Sequence, residues 1–109
     1  MGEVLNWDAG AADYVRSRPQ RYPGGRRIEP EWAQEVLHDP ELAALEPDPK
    51  SRMGASRFIG MSASARGVLT VIAWRDDDGD LHLINARPAT GADMRIYREE
   101  NDRGQDDGS

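Results

Sequence analysis

Arg87, Asp93 and Tyr97 stand six and four residues apart in LHLINARPATGADMRIY, residues 81 to 97. An arginine, a carboxylate and a phenol at that spacing are the groups in this chain best suited to chemistry on a phosphate. An arginine fork holds phosphate through paired hydrogen bonds and stabilises the charge that gathers as phosphoryl transfer proceeds. The phenol offers a proton donor or a face for a base to stack on. Each residue also has a plainer role open to it. Arg87 can pair with Asp93 or lie along a sheet edge, Asp93 can cap a helix, and Tyr97 can be core with its hydroxyl at the rim.

The elements that must position these groups follow from the local pattern. Leu81, Leu83, Asn85 and Arg87 alternate with His82, Ile84 and Ala86, so a strand puts Arg87 at its end, on the face opposite His82. Pro88 cannot donate to a ladder, and Thr90 with Asp93 has capping-box spacing for a helix start. On that helix Asp93, Ile96, Tyr97 and Glu100 share one side, which brings the Tyr97 hydroxyl toward the strand end. A second arginine, Arg57 in SRFIGMS, lies near the start of an earlier strand. If that strand and the one ending at Arg87 flank a middle strand, they run in the same direction, and the two arginines are expected toward opposite ends of the sheet.

Upstream, residues 3 to 7 read as a short strand. Asp8 is an N-cap for a helix over residues 9 to 18, and the Pro- and Gly-rich RPQRYPGG is a loop. Pro30 opens a second amphipathic helix over residues 29 to 38 with Trp32, Val36 and Leu37 inward, ended by Asp39-Pro40. Residues 41 to 45 fit a short strand or a helical turn, and residues 46 to 54 read as irregular. Three strands follow, 56 to 62, 68 to 75 and 81 to 87, the last two joined by a turn whose Asp78-Gly79 is a strong hairpin signal. The expectation is an α+β domain over residues 1 to 100, a small antiparallel meander with two N-terminal helices and one C-terminal helix, the helices packed on one face. Residues 101 to 109 are expected to be a disordered acidic tail.

With 109 residues, no cysteine and 38% hydrophobic content, the chain suits one small domain in a reducing cytoplasm. The longest apolar run, Val68 to Trp74, is far too short for a membrane span, and MGEVLNWD lacks a signal-peptide pattern. The formal charge of −6 opposes nucleic-acid binding, but about half of it falls in residues 98 to 109, while Arg16, Arg18, Arg21, Arg26 and Arg27 lie in a stretch without acids. Those five arginines, with Tyr14 and Tyr22 among them, are candidate RNA contacts or a solvated basic loop. His82 and His38 have no acid/base setting, and no residue spacing suggests a metal or cofactor.

Residues 57 to 97, RFIGMSASARGVLTVIAWRDDDGDLHLINARPATGADMRIY, resemble the BrnT family of bacterial type II toxins. The likeness rests on Arg57-Phe58, Gly60, Ala65-Arg66-Gly67, Val68 to Ile72, Ala86-Arg87-Pro88-Ala89, Asp93 and Tyr97. WDAGAADYV and IEPEWAQEVLHDP also resemble the family's first strand-helix and second helix. The resemblance implies a RelE-like fold, RNA cleavage without metal that stops translation, and activity centred on Arg57 and Arg87. It further implies an antitoxin partner with a ribbon-helix-helix domain, through which alone operator DNA is bound. The chain departs from the family in having Gly24-Gly25-Arg26-Arg27 where Lys-His-Gly is usual, and Asp93 where Glu is common. A non-catalytic binding module of the same fold is the alternative.

Overall fold

The computed structural model describes residues 5–7, 9–17, 27–51 and 54–106. The elements run β1 (Leu5–Trp7), α1 (Ala9–Arg16), α2 (Trp32–Leu37), β2 (Ala43–Leu45), β3 (Ser56–Ser62), β4 (Gly67–Arg75), β5 (Leu81–Pro88) and α3 (Gly91–Asp106). They form a five-stranded sheet in the order β1-β5-β4-β3-β2. The four strands β2 to β5 pair antiparallel, and β1 lies parallel to β5 at one edge. The class is α+β, as the alternation in the sequence predicts.

The β4–β5 hairpin closes where Asp78-Gly79 marks it. The Gly79 amide donates to the Asp76 carbonyl at 3.0 Å, and Gly79 takes a φ of 90°, a backbone that costs glycine little. The Asp76 carboxylate accepts from the amides of Asp78 and Asp80, which tightens the turn. Residues 41 to 45 resolve to a strand, because the Leu42 amide first closes a turn on the Asp39 carbonyl and Ala43 then pairs with Ile59.

The helices do not share one face. Val15 of α1, Ile28, and Ala33 and Val36 of α2 pack with Phe58, Leu69, Val71, Ala73, Leu81, Leu83 and Ala86 on the first face of the sheet. α3 covers part of the second face, where Tyr97 meets Ala43 and Ile59, with Val68, Ala89 and Ile96 around them. The reason lies in the strands: Arg57, Ile59, Thr70 and Ile72 alternate with the first-face set and carry enough apolar surface to need a cover of their own.

α2 is shorter than its periodicity predicts. Residues 29 to 34 make a tight lead-in of i to i+3 bonds, with the amides of Trp32, Ala33 and Gln34 donating to the carbonyls of Glu29, Pro30 and Glu31. The Pro30 carbonyl also accepts from the Trp7 indole at 3.1 Å, which ties this turn to β1. Ala33 and Val36 are the fully buried positions, and Trp32 and Leu37 are partly buried. At the other end of the chain α3 continues to Asp106, past the expected start of a disordered tail. Arg98, Glu99 and Glu100 are good helix formers, and no proline interrupts them. The expected Asp8 cap, the loop over residues 19 to 25, and residues 107 to 109 lie outside the described residues.

Two features of the sheet decide where the arginines go. β5 carries a bulge: Asn85 pairs with Ile72 and Leu83 with Ala73, so Ile84 is the extra residue. A single extra residue inverts the parity beyond it. Leu81, Leu83 and Ala86 therefore share the first face, whereas His82, Asn85 and Arg87 share the second. The placement of Arg87 opposite His82, read from strict alternation, is overturned by this bulge. Strand stagger is the other feature. Arg57 pairs with Ile72 and Arg87 with Thr70, only two positions apart along β4. The strands are short and offset, so the start of one and the end of the other face nearly the same part of the middle strand.

Candidate functional site

On the second face, Arg57 of β3, Thr70 of β4, Arg87 of β5 and Asp93 of α3 meet, and Asp48 joins them from the connection after β2. Arg57 is 7% exposed and Asp93 1%. The Arg57 guanidinium uses its whole fork. Nε donates to Asp48 Oδ2 at 2.9 Å, Nη2 to Asp48 Oδ1 at 2.8 Å, and Nη1 to Asp93 Oδ1 at 2.5 Å. Thr70 Oγ1 donates to Asp93 Oδ2 at 2.7 Å, and Arg87 Nη2 lies 3.7 Å from the same oxygen. Charges taken out of water at this depth require such pairing, since an unpaired one costs several kcal/mol, of order 3–5.

The first turn of α3 delivers Asp93 into this cluster. Asp93 sits in the first helical turn, where a carboxylate also suits the positive end of the helix dipole. Its oxygens aim at the sheet, at Arg57, Thr70 and Arg87, rather than back at Thr90 as the capping-box spacing predicts. The cations on the sheet, buried Arg57 above all, are the stronger partners. Paired hydrogen bonds from Arg57 hold the Asp48 carboxyl below its ordinary range, and the bond to Asp48, followed by that to Asp93, raises Arg57 further above neutrality. Both stay charged at any physiological pH.

Arg57 and Arg87 thus come together, contrary to their expected separation, but their surroundings differ. Each nitrogen of Arg57 donates to a carboxylate. Arg87 keeps a third of its side chain exposed, at 32%, and among the described residues its ion pair is the longer contact to Asp93. It is the cation of this cluster that an incoming anion can reach.

Tyr97 belongs to another cluster. Its hydroxyl donates to Asp39 Oδ2 at 2.6 Å, and the same oxygen accepts the Met61 amide at 2.8 Å. Met61 is four residues beyond Arg57 on β3, about 13 Å along the strand. Burial first, and then the bond to Asp39, push the Tyr97 phenol well above its usual range, so it stays a protonated donor. Burial would raise the Asp39 carboxyl, but bonds from Tyr97 and from the Met61 and Glu41 amides outweigh it and hold the group low. β2 pairs with β3 only as far as Ile59, so Asp39 satisfies an edge amide that no strand reaches. Tyr97→Phe is expected to lower stability by about 1.5 kcal/mol, the loss of one hydrogen bond to a charged acceptor, measured by urea denaturation at neutral pH.

The candidate RNA contacts divide in the same way. Arg16 lies 3.6 Å from Glu29 and 3.8 Å from Asp13, and Arg27 donates to Glu29 at 2.6 Å. Nearby acids offset both, which the sequence hides because Glu29 and Glu31 follow the basic run. Arg18, Arg21 and Arg26 lie outside the described residues. A cavity of about 540 Å³ opens instead between α2 and the far end of β3, walled by Glu31, Glu35, Asp39 and Met61. Its carboxylates repel phosphate. Glu35 is fully engaged there, accepting from Ser62, the Ser64 amide and the Ser64 hydroxyl at 2.6–2.9 Å.

Sequence reading missed Asp48, Thr70 and Asp39. Thr70 had a signal: a hydroxyl in the middle of VLTVIAW is buried wherever the strand goes, and a buried hydroxyl needs a partner. Asp48, in an irregular Pro-flanked connection, had none. Among the described residues no group of His, Asp and Glu is arranged to hold a metal ion, and no helix is long and apolar enough to cross a membrane. Comparison with protein-family models finds none that matches the chain, and comparison with curated proteins finds no match.

Proposed function

We propose that this chain is a BrnT-like toxin with a RelE-like fold, a cytoplasmic ribonuclease that cleaves RNA and so inhibits translation. The observation that carries the reading is the convergence of Arg57 and Arg87, from strands that are not neighbours, on Asp93 of the closing helix. All three are among the residues on which the family resemblance rests, whereas Tyr97, also among them, bonds to Asp39 instead. In the cleavage considered, the 2'-hydroxyl attacks the adjacent phosphorus and the 5'-oxygen leaves, with negative charge gathering on the phosphate oxygens. Arg87, reachable from solvent, supplies positive charge to that phosphate. Arg57 and Thr70 hold Asp93, and Asp93 in turn sets the position of Arg87. An antitoxin with a ribbon-helix-helix domain is the expected protein partner, and operator DNA is engaged through it.

One observation favours a second reading, a non-catalytic binding module. Each donor group of Arg57 is taken by a carboxylate, and the Tyr97 hydroxyl is held by Asp39, which leaves one accessible cation in the cluster. The deciding experiment induces the chain alone in bacteria beside Arg87→Ala and examines growth and total RNA for new ends. Arrest with new ends that Arg87→Ala abolishes supports the ribonuclease. Normal growth and intact RNA, from a folded and soluble protein, support the binding module.

A further inference from the structure

The second face of the sheet is only partly covered by α3, and exposure rises steadily along β4 away from it. Thr70 is fully buried under the helix, Ile72 is intermediate, and Trp74 is 43% exposed. Trp74 pairs across the strands with His82, and the two rings stack with centroids 4.1 Å apart and planes 12° from parallel. His82 Nε2 is hydrogen-bonded to Asp76 Oδ2 at 2.7 Å, which fixes the imidazole against the indole. The bulge at Ile84 puts this pair on the same face as Arg87. Without that extra residue, His82 and Arg87 would point to opposite sides.

We propose that Trp74, backed by His82, is a stacking platform for a base of single-stranded RNA whose phosphate is held at Arg87. The inference rests on the ribonuclease reading and names how that site holds its strand. Trp74 lies four residues along β4 from Thr70, the partner of Arg87, a separation of about 13 Å. That span exceeds one nucleotide, so the surface suits an oligonucleotide chain. An aromatic face paired with a cation on one sheet surface is the arrangement by which single strands are held without sequence readout.

The distribution of charge gives the strand a direction. Asp76, Asp77, Asp78 and Asp80 border the platform in the hairpin, and they disfavour a phosphate there. Stacking presents the uncharged face of a base to Trp74 and needs no phosphate beside it. The cation is at the opposite end, next to α3, where the helix dipole adds to it. Phosphate at Arg87 and base at Trp74 is therefore the orientation that the charges permit.

The test uses the full chain and a 2'-O-methyl oligoribonucleotide, which lacks the attacking hydroxyl and stays intact. Affinity is measured by anisotropy at two salt concentrations, together with tryptophan fluorescence. Trp74→Ala is expected to weaken binding about tenfold with an unchanged salt dependence, while Trp74→Phe retains most of the affinity but loses the fluorescence quenching. Arg87→Ala is expected to weaken binding and reduce the salt slope by about one. Trp74 is exposed, and Trp74→Phe keeps a ring in place, so a loss confined to the alanine variant reports stacking. Wild-type binding that Trp74→Ala leaves unchanged overturns the platform and leaves the ribonuclease reading standing. A wild-type chain that neither binds the oligonucleotide nor cleaves RNA overturns both. Loss of a protein partner at Trp74→Ala, with RNA affinity intact, assigns this face to protein contact and also overturns the platform.

Discussion

Arg57→Ala is expected to destabilise the fold by about 3–5 kcal/mol, a large share of the roughly 5–15 kcal/mol that holds a domain of this size together. The substitution removes the cation that bridges Asp48 and Asp93 and leaves two carboxylates in the sheet–helix junction, with Asp93 only 1% exposed. Arg87, 3.7 Å from Asp93, is too distant to replace three direct hydrogen bonds. Urea denaturation at pH 7 measures the loss. The sign of its pH dependence follows from Asp48, whose carboxyl is held low first by the Arg57 hydrogen bond. A depressed carboxyl contributes stability above its unfolded value, about 3.9, and that stability is lost as pH falls through the lower folded value. The variant has no such contribution to lose, so its deficit relative to wild type holds from pH 7 down to near the unfolded value and narrows as the pH falls below it. A deficit that stays constant with pH would show that Arg57 acts through packing alone. Arg57→Lys is expected to recover only part of the loss, because an ammonium cannot reproduce the bidentate contact to Asp48.

The same cluster shows what a sequence conveys and what it conceals. The three long strands, the Asp78-Gly79 hairpin and the inward side of the last helix are local properties, written in alternation and turn chemistry, and the structure has them. The meeting of Arg57 with Arg87 is not local. It depends on Ile84 being extruded as a bulge, on the offset of β3 and β5 against β4, and on Asp93 turning from its helix toward the sheet. Counting parity along β5 gives the wrong face for Arg87 because the count assumes an unbroken ladder. Tyr97 illustrates the converse. Its inward position was legible from helical spacing, but its partner Asp39 lies 58 residues away in sequence, and no periodicity points there. Arg16 and Arg27 read as free of acids only because Glu29, which pairs with both, stands just beyond the basic run.

Gly60 carries a second constraint that is visible in sequence only as an isolated glycine in an apolar strand, and its replacement by alanine is expected to cost about 3 kcal/mol, the upper end for overpacking a core. The backbone conformation is ordinary extended strand, so the requirement is steric. A Cβ at Gly60 would lie 2.7 Å from the Val36 carbonyl oxygen, 3.1 Å from Val36 Cγ1 and 3.3 Å from Leu42 Cδ1. The side-chain contacts can yield by rotation, but the carbonyl belongs to the last turn of α2 and moves only if the helix moves. That helix also supplies Glu35 to the β3–β4 turn and leads into Asp39, which holds the Met61 amide and the Tyr97 hydroxyl. Pushing it outward therefore loosens contacts on both faces of the sheet. Thermal unfolding checks the prediction, with a midpoint lowered by roughly 12 °C at about 4 °C per kcal/mol. Gly67→Ala, whose Cβ would meet nothing within 4 Å, is the control and is expected to change stability by less than about 0.5 kcal/mol. Combining Gly60→Ala with Val36→Ala distinguishes the two sources of the clash. Truncating Val36 removes Cγ1 but leaves the oxygen, so the double variant should be no more stable than Gly60→Ala alone. Recovery in the double variant would place the conflict in the side chain and show that α2 does not rest its backbone on β3.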